Sequence, residues 1–206
     1  MKKTANLYLM LLLVNSLFAQ NRSGQYICKH LVRADASIIA GSLHKTGANT
    51  VHLNGNLEYY LDSRISIRGD VNWLAGLKQS VIAPSYLKDY YSVMLGGLYH
   101  FQTSNHLDPY LVFQPGIAYA SAYAIGNENR QNLILSAERV AYSGSIAPLG
   151  SVGVGFNYYF QQFAHLFAEG RYVYGNLNSN APAIVSLQEL RITFGLGFNL
   201  FVAKKN

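Results

Sequence analysis

Among the 206 residues, chemistry is most plausible at His100 and Ser104, at the histidines His52, His100 and His165, at the single Cys28, and in the run Gly150-Ser151-Val152-Gly153-Val154-Gly155. A serine beside a histidine is the start of a nucleophile and its base. However, His100, Ser104 and His106 fall at one short connection, with no acidic residue flanking them as such a pair requires, so no catalytic residue is assigned. The three histidines belong to different hairpins and lack ligand spacing, which leaves no metal site. One cysteine excludes an intramolecular disulfide framework and a Cys-rich zinc centre. The glycine run resembles a phosphate loop, but it passes through alternating strand positions and no helical pattern follows, so no dinucleotide or other cofactor is expected.

What remains is a set of charges that share one face of their segments: Glu58, Arg68, Asp70, Glu169, Arg171, Glu189 and Arg191. The segments that carry them alternate with period two. From 51 to 61, Val51, Leu53, Leu57, Tyr59 and Leu61 oppose His52, Asn54, Asn56, Glu58 and Tyr60, and from 189 to 200 Leu190, Ile192, Phe194, Leu196, Phe198 and Leu200 oppose Glu189, Arg191, Thr193 and Asn199. Further strands are predicted near 65–74, 90–101, 109–120, 149–160 and 165–174, with a weaker one near 34–43. Long connections near 44–50, 75–89, 121–148 and 175–188 alternate with tight ones near 62–64, 102–108 and 161–164. Eight strands of about ten residues, with long loops at one end and short turns at the other, predict an all-β, eight-stranded antiparallel up-and-down transmembrane β-barrel.

Alternation alone does not say which face meets the outer solvent, because a soluble barrel places its apolar residues inside. Charge placement decides it. The six lysines beyond the leader, Lys29, Lys45, Lys78, Lys88, Lys204 and Lys205, all fall outside the predicted strands, and every strand charge lies on the polar face. The apolar face therefore suits lipid. Tyr59, Tyr99, Phe101, Tyr158 and Phe160 gather at the turn-side strand ends, and Trp73, Tyr91, Tyr119, Tyr172 and Tyr174 at the loop side, as two interfacial girdles would.

Paired residues share a face, so register follows from the turns. Pairing Glu58 with Arg68 sets Asn56 against Asp70 and Tyr60 against Ser66; pairing Tyr159 with His165 sets Gly155 against Glu169 and Gly153 against Arg171, where glycine leaves room for the larger side chains. In the last hairpin, pairing Arg171 with Glu189 also sets Glu169 against Arg191. The charges then form one cluster on one wall of a lumen just wide enough to be filled by side chains. A structural ion-pair network is the first reading of that cluster and a proton or ion path the second.

Composition agrees with these elements. Hydrophobic residues make up 50% of the chain and aromatics 13%, while charged residues reach only 13%, about half the ~25% usual in soluble domains. Without Lys2 and Lys3 the net charge falls from +6 to +4, too weak for a nucleic-acid footprint. Lys2-Lys3, the apolar run from Leu7 to Val14 and Ser16-Leu17-Phe18-Ala19 read as a secretory leader, too short to span a membrane. The expected organisation is a signal peptide over 1–19, an N-terminal periplasmic segment over 20–33 containing an ordinary thiol at Cys28, the barrel over 34–202 and a tail over 203–206. In the longest connection, the polar tip Asn127, Glu128, Asn129 and Arg130 beside apolar Leu133, Ile134 and Leu135 suggests a short extra hairpin or lid. It is the best candidate for ligand contact.

At Gly96-Gly97-Leu98-Tyr99-His100-Phe101, Asp108-Pro109-Tyr110, Gly116 and Glu189 to Leu200, the chain resembles the small outer-membrane β-barrel family of the OmpA and OmpX type. The resemblance covers 34–202. It implies a bacterial outer-membrane location, contact with outer-membrane lipids, and periplasmic chaperones and the barrel assembly machinery as partners during biogenesis. The terminal Val202-Ala203-Lys204-Lys205-Asn206 departs from the common terminal aromatic, and no wall-anchoring role is carried over. The expected role is structural, adhesive or interactive, through the loops and an unidentified protein or glycan ligand. A lipid-modifying enzyme and a narrow pore or secretion-accessory barrel are the alternatives. Mass spectrometry of the exported protein should find an N-terminus near Gln20; an intact Met1 would contradict the leader.

Overall fold

The computed structural model describes residues 27–78, 85–101, 106–126, 138–177 and 185–200. The leader, Ser104, the contact candidates from Asn127 to Leu135 and the tail lie outside them. The strands are β1 (Val32–Leu43), β2 (Asn49–Tyr60), β3 (Ile65–Lys78), β4 (Ser85–His100), β5 (Leu107–Gly126), β6 (Glu138–Gln161), β7 (Ala164–Leu177), β8 (Val185–Ser186) and β9 (Glu189–Leu200). Each long strand pairs antiparallel with the next, and β9 pairs with both β7 and β1, closing an eight-stranded barrel. The two-residue β8 stands apart and pairs only with Asn176 and Leu177 of β7.

The alternating pattern sorts as its chemistry requires. On β9, Leu190, Ile192 and Phe194 are 57%, 51% and 65% exposed on the outside, whereas Glu189, Arg191 and Thr193 are buried in the lumen. Both aromatic girdles lie on the outer surface, and Trp73, Tyr91, Tyr119 and Ile146 follow one another across β3 to β6 at one level. At the turn end, Asp62 accepts the backbone N–H groups of Arg64 and Ile65 at 2.6 and 2.8 Å, which fixes the β2–β3 turn. Those two donors hold its carboxyl below the usual carboxylate range.

Several boundaries differ from the sequence reading. β1 begins at Val32, so Arg33 belongs to the barrel and not to a preceding segment. Residues 28–31 are tied down as well: His30 N–H donates to the Tyr60 carbonyl and Tyr60 N–H to the Leu31 carbonyl, both at 2.9 Å. Much of the connection expected over 121–148 is strand. β5 and β6 are 20 and 24 residues long and stay paired out to Gly126 and Glu138, well past the ~9–11 residues a tilted strand uses in a bilayer. Lys78 and Lys88 likewise fall inside strands, at the loop-side ends of β3 and β4 where the chain leaves the hydrocarbon.

In the hairpins β2–β3 and β6–β7 the expected register holds, with Glu58 opposite Arg68 and Tyr159 opposite His165. The last hairpin is shifted by two residues from the expected one: Arg171 faces Arg191, Glu169 faces Thr193 and Val173 faces Glu189. A shift of two keeps every side chain on its face, so alternation could not detect it.

The outward assignment sets a depth-dependent cost. Phe194→Arg, mid-strand on the outer face, should lower unfolding free energy by about 2–4 kcal/mol, and Tyr174→Arg at the loop-side girdle by about 0–1 kcal/mol. Urea titration of the folded protein in liposomes measures both; equal losses would mean the outer face does not meet hydrocarbon.

Candidate functional site in the barrel lumen

The polar face of every long strand turns inward. Among the described residues it buries four arginines (Arg33, Arg68, Arg171, Arg191), six carboxylates (Asp35, Glu58, Asp70, Asp108, Glu169, Glu189) and three histidines (His52, His100, His165). All seven charges assigned to the lumen from sequence lie there. Arg33, Asp35 and Asp108 were missed, although Arg33-Ala34-Asp35-Ala36-Ser37 and Asp108-Pro109-Tyr110-Leu111-Val112-Phe113-Gln114 continue the same alternation. The sequence reading ends the N-terminal segment at residue 33 and the tight connection at residue 108, which leaves Arg33 and Asp108 just outside the predicted strands.

Three groups of contacts run from the turn end toward the loops. At the turn end Arg33 donates to Glu58 at 2.6 Å and to the Tyr159 hydroxyl at 2.8 Å, while Asn157 donates to Asp108 at 2.9 Å. In the middle Arg68 donates to Glu169 at 2.5 Å, and Arg171 to Glu169, Asp70 and Gln114, each at 2.7 Å. Toward the loops Arg191 donates to Glu189 at 2.8 Å and to the Tyr90 hydroxyl at 3.1 Å, and Glu189 also accepts from Thr50 and His52.

The cluster is therefore not confined to one wall. β3 and β7 stand on opposite sides of the ring, as do β4 and β9. Arg68–Glu169 and Arg171–Asp70 cross the lumen reciprocally between the first two strands, and Arg191–Tyr90 spans the second two. This explains how Arg171 and Arg191 can be register neighbours. Each guanidinium turns to a different set of acceptors, which offsets the like-charge repulsion expected of opposed pairs. Likewise Glu58 is opposite Arg68 on the ladder but takes its ion pair from Arg33. Glycine makes room as expected, though for another residue in one case: a Cβ on Gly155 would meet the Tyr110 ring, 2.5 Å away.

His100, expected to lack acidic neighbours, lies between two. Nδ1 is 2.9 Å from Asp108 and Nε2 3.0 Å from Glu58, and Ser66 Oγ is 3.0 Å from Nε2. Ser66, His100 and Asp108 thus approximate a nucleophile, base and acid. Two features oppose that use. Both ring nitrogens lie within hydrogen-bond distance of carboxylates, so the ring is already engaged on either side, and Ser66 donates instead to Glu58 at 2.6 Å. All four side chains are also buried, away from any substrate. His52 and His165 pair with Glu189 and Asp35 at 2.9 and 3.2 Å, and no grouping of three metal-capable side chains occurs among the described residues.

Little space is left. The gap bounded by Asn56, Asp70, Arg191 and Thr193 is about 10 Å³, near the lower limit for one water molecule. Toward the loops an apolar cluster fills the lumen beside and beyond the Arg191–Glu189 group: Leu43, Leu87, Met94, Ala118, Leu149 and Val173 pack with Val185 and Leu187, which enter from the β7–β9 connection. Leu187 is anchored by its N–H donating to the Gly175 carbonyl at 3.0 Å. Sequence reading left this connection as a loop; its signal was the short apolar stretch Ala183-Ile184-Val185 followed by Leu187.

A closed eight-stranded barrel with a lipid-facing exterior and a charge-filled interior defines an outer-membrane barrel protein. The chain belongs to the family described as "Outer membrane protein beta-barrel domain", which matches residues 7–199. Among solved structures it is similar to the N-terminal β-barrel domain of Pseudomonas aeruginosa OprF, at 18% identity, covering 84% of this chain and 99% of that one with a TM-score of 0.52. It is also similar to Neisserial surface protein A (18% identity, 88% and 100% coverage, TM-score 0.53) and to Pseudomonas aeruginosa OprG (12%, 86% and 100%, 0.53). At these identities the likeness is one of fold. No curated protein matches the chain.

The cross-lumen pairs should be energetically coupled. Arg68→Ala leaves Glu169 with Arg171 as its one cation and should cost up to about 3–5 kcal/mol, the loss expected when a buried pair is broken outright. The double change Arg68→Met with Glu169→Gln, which leaves Arg171 and Asp70 paired, should cost clearly less than the sum of its two single changes in a double-mutant cycle. Additive losses would mean that the two side chains do not interact.

Proposed function

We propose that this protein is a sealed barrel of the bacterial outer membrane, with a structural, adhesive or interaction role exercised at its loop-side end. On this reading the lumen is closed to ions and no catalytic role falls to the described residues. The observation that carries this reading is the filled lumen, with an ion-paired layer below and an apolar layer above that includes Val185 and Leu187. An open pore requires a continuous water column, which neither layer leaves. Catalysis finds no support in the buried Ser66–His100–Asp108 group, whose histidine is committed to two carboxylates. β5 and β6 stay paired to Gly126 and Glu138, beyond the length a bilayer requires, and the sequence between them, with Asn127–Arg130 and Leu133, Ile134 and Leu135, is the segment proposed to meet a protein or glycan ligand. Periplasmic chaperones and the barrel assembly machinery would act before the strands close.

In planar bilayers the purified barrel should give no discrete conductance steps under applied voltage. Reproducible openings from a folded, heat-modifiable preparation would overturn the sealed reading and favour the narrow pore.

A further inference from the structure

On the outer surface, an apolar groove of about 620 Å³ lies across β3 to β6, within the ~300–1,000 Å³ range of small-molecule sites. Its origin is local. Trp73 and Tyr91 stack, with ring centroids 6.4 Å apart, so Tyr91 leans toward β3. Tyr119, its register partner on β5, lies instead over Gly144 of β6, so closely that a Cβ there would overlap the ring. The two tyrosines thus splay apart, and the groove opens between them at the loop-side girdle. Below them Val71, Val93 and Ile117 form the next row toward the bilayer centre.

The surface beyond the loop-side end of the groove carries lysines. Lys88 lies three residues above Tyr91, 41% exposed at its side chain, with Nζ 5.3 Å from the centre of the Tyr123 ring. The Asp89 carboxylate is 3.9 Å away and also accepts a hydrogen bond from Ser121 at 2.7 Å. Lys78 ends β3 on the same side and is also exposed. An ammonium held by a ring at headgroup depth, above an apolar slot running toward the bilayer centre, matches an amphiphile with an anionic head.

We infer that the groove is a specific site for a lipid of the outer leaflet whose phosphate head carries a net negative charge, with an acyl chain between Tyr91 and Tyr119 and the phosphate near Lys88. This rests on the outer-membrane placement of the barrel. Trp73, the only tryptophan in the chain, lines the groove and reports its occupancy directly.

The test uses the full mature barrel refolded into equimolar vesicles of phosphatidylglycerol and phosphatidylcholine, with one or the other brominated on its acyl chains. Quenching of Trp73 should show a preference of about fivefold for phosphatidylglycerol, the order that one lysine at an anionic surface provides. Lys88→Gln should abolish that preference, while Lys45→Gln, on the β1–β2 connection, should keep it. Equal quenching by both lipids in the unmodified protein, or a preference that survives Lys88→Gln, overturns the site while leaving the barrel in its membrane. Absence of quenching by either lipid overturns both, because Trp73 would then not face hydrocarbon.

Discussion

In hydrocarbon no water is available to satisfy a polar backbone, so a sheet there must close on itself, and closure commits half of its side chains to a narrow interior. Everything else in this barrel follows from that commitment. Eight strands enclose too little space for bulk water, so the inward polar residues must satisfy one another. Four arginines and six carboxylates do so for most of their polar atoms, through multidentate contacts: Arg171 alone reaches Glu169, Asp70 and Gln114. His100 bridges Glu58 and Asp108 where the two carboxylates meet.

How much of this could be read from the sequence depends on whether the signal was local. Strand identity and facing were legible because alternation is a property of each segment, and the β2–β3 register followed because its turn is three or four residues. The last hairpin failed for a physical reason. Its register had been chosen to match opposite charges on adjacent strands, whereas the real partners of Arg171 and Arg191 lie partly on β3 and β4, across the lumen. Adjacent-strand reasoning is blind to contacts made through the barrel interior, and the intervening connection, which folds inward at Val185 and Leu187, gave no tight turn to count from.

The interior is also graded along the barrel axis. Charges fill the turn-side and central lumen and reach Glu189 toward the loops, where small and aliphatic residues such as Ala118, Ala120 and Ala147 take over. The apolar layer keeps water from the ion pairs on the outer side, which strengthens each pair by lowering the local dielectric and raises the cost of leaving any member unpaired. Segregation thus turns two modest packing solutions into one closure.

Three of the cross-lumen contacts, Arg68–Glu169, Arg171–Asp70 and Arg191–Tyr90, join residues each separated by 101 positions. No partly inserted hairpin can form them, because their two ends meet only when the first and last strands have zipped together. Their energy is therefore absent from the path of insertion and present only in the finished ring. It acts on the rate of leaving the native state and not on the rate of reaching it, so the lumen serves as a kinetic lock, set last and released first.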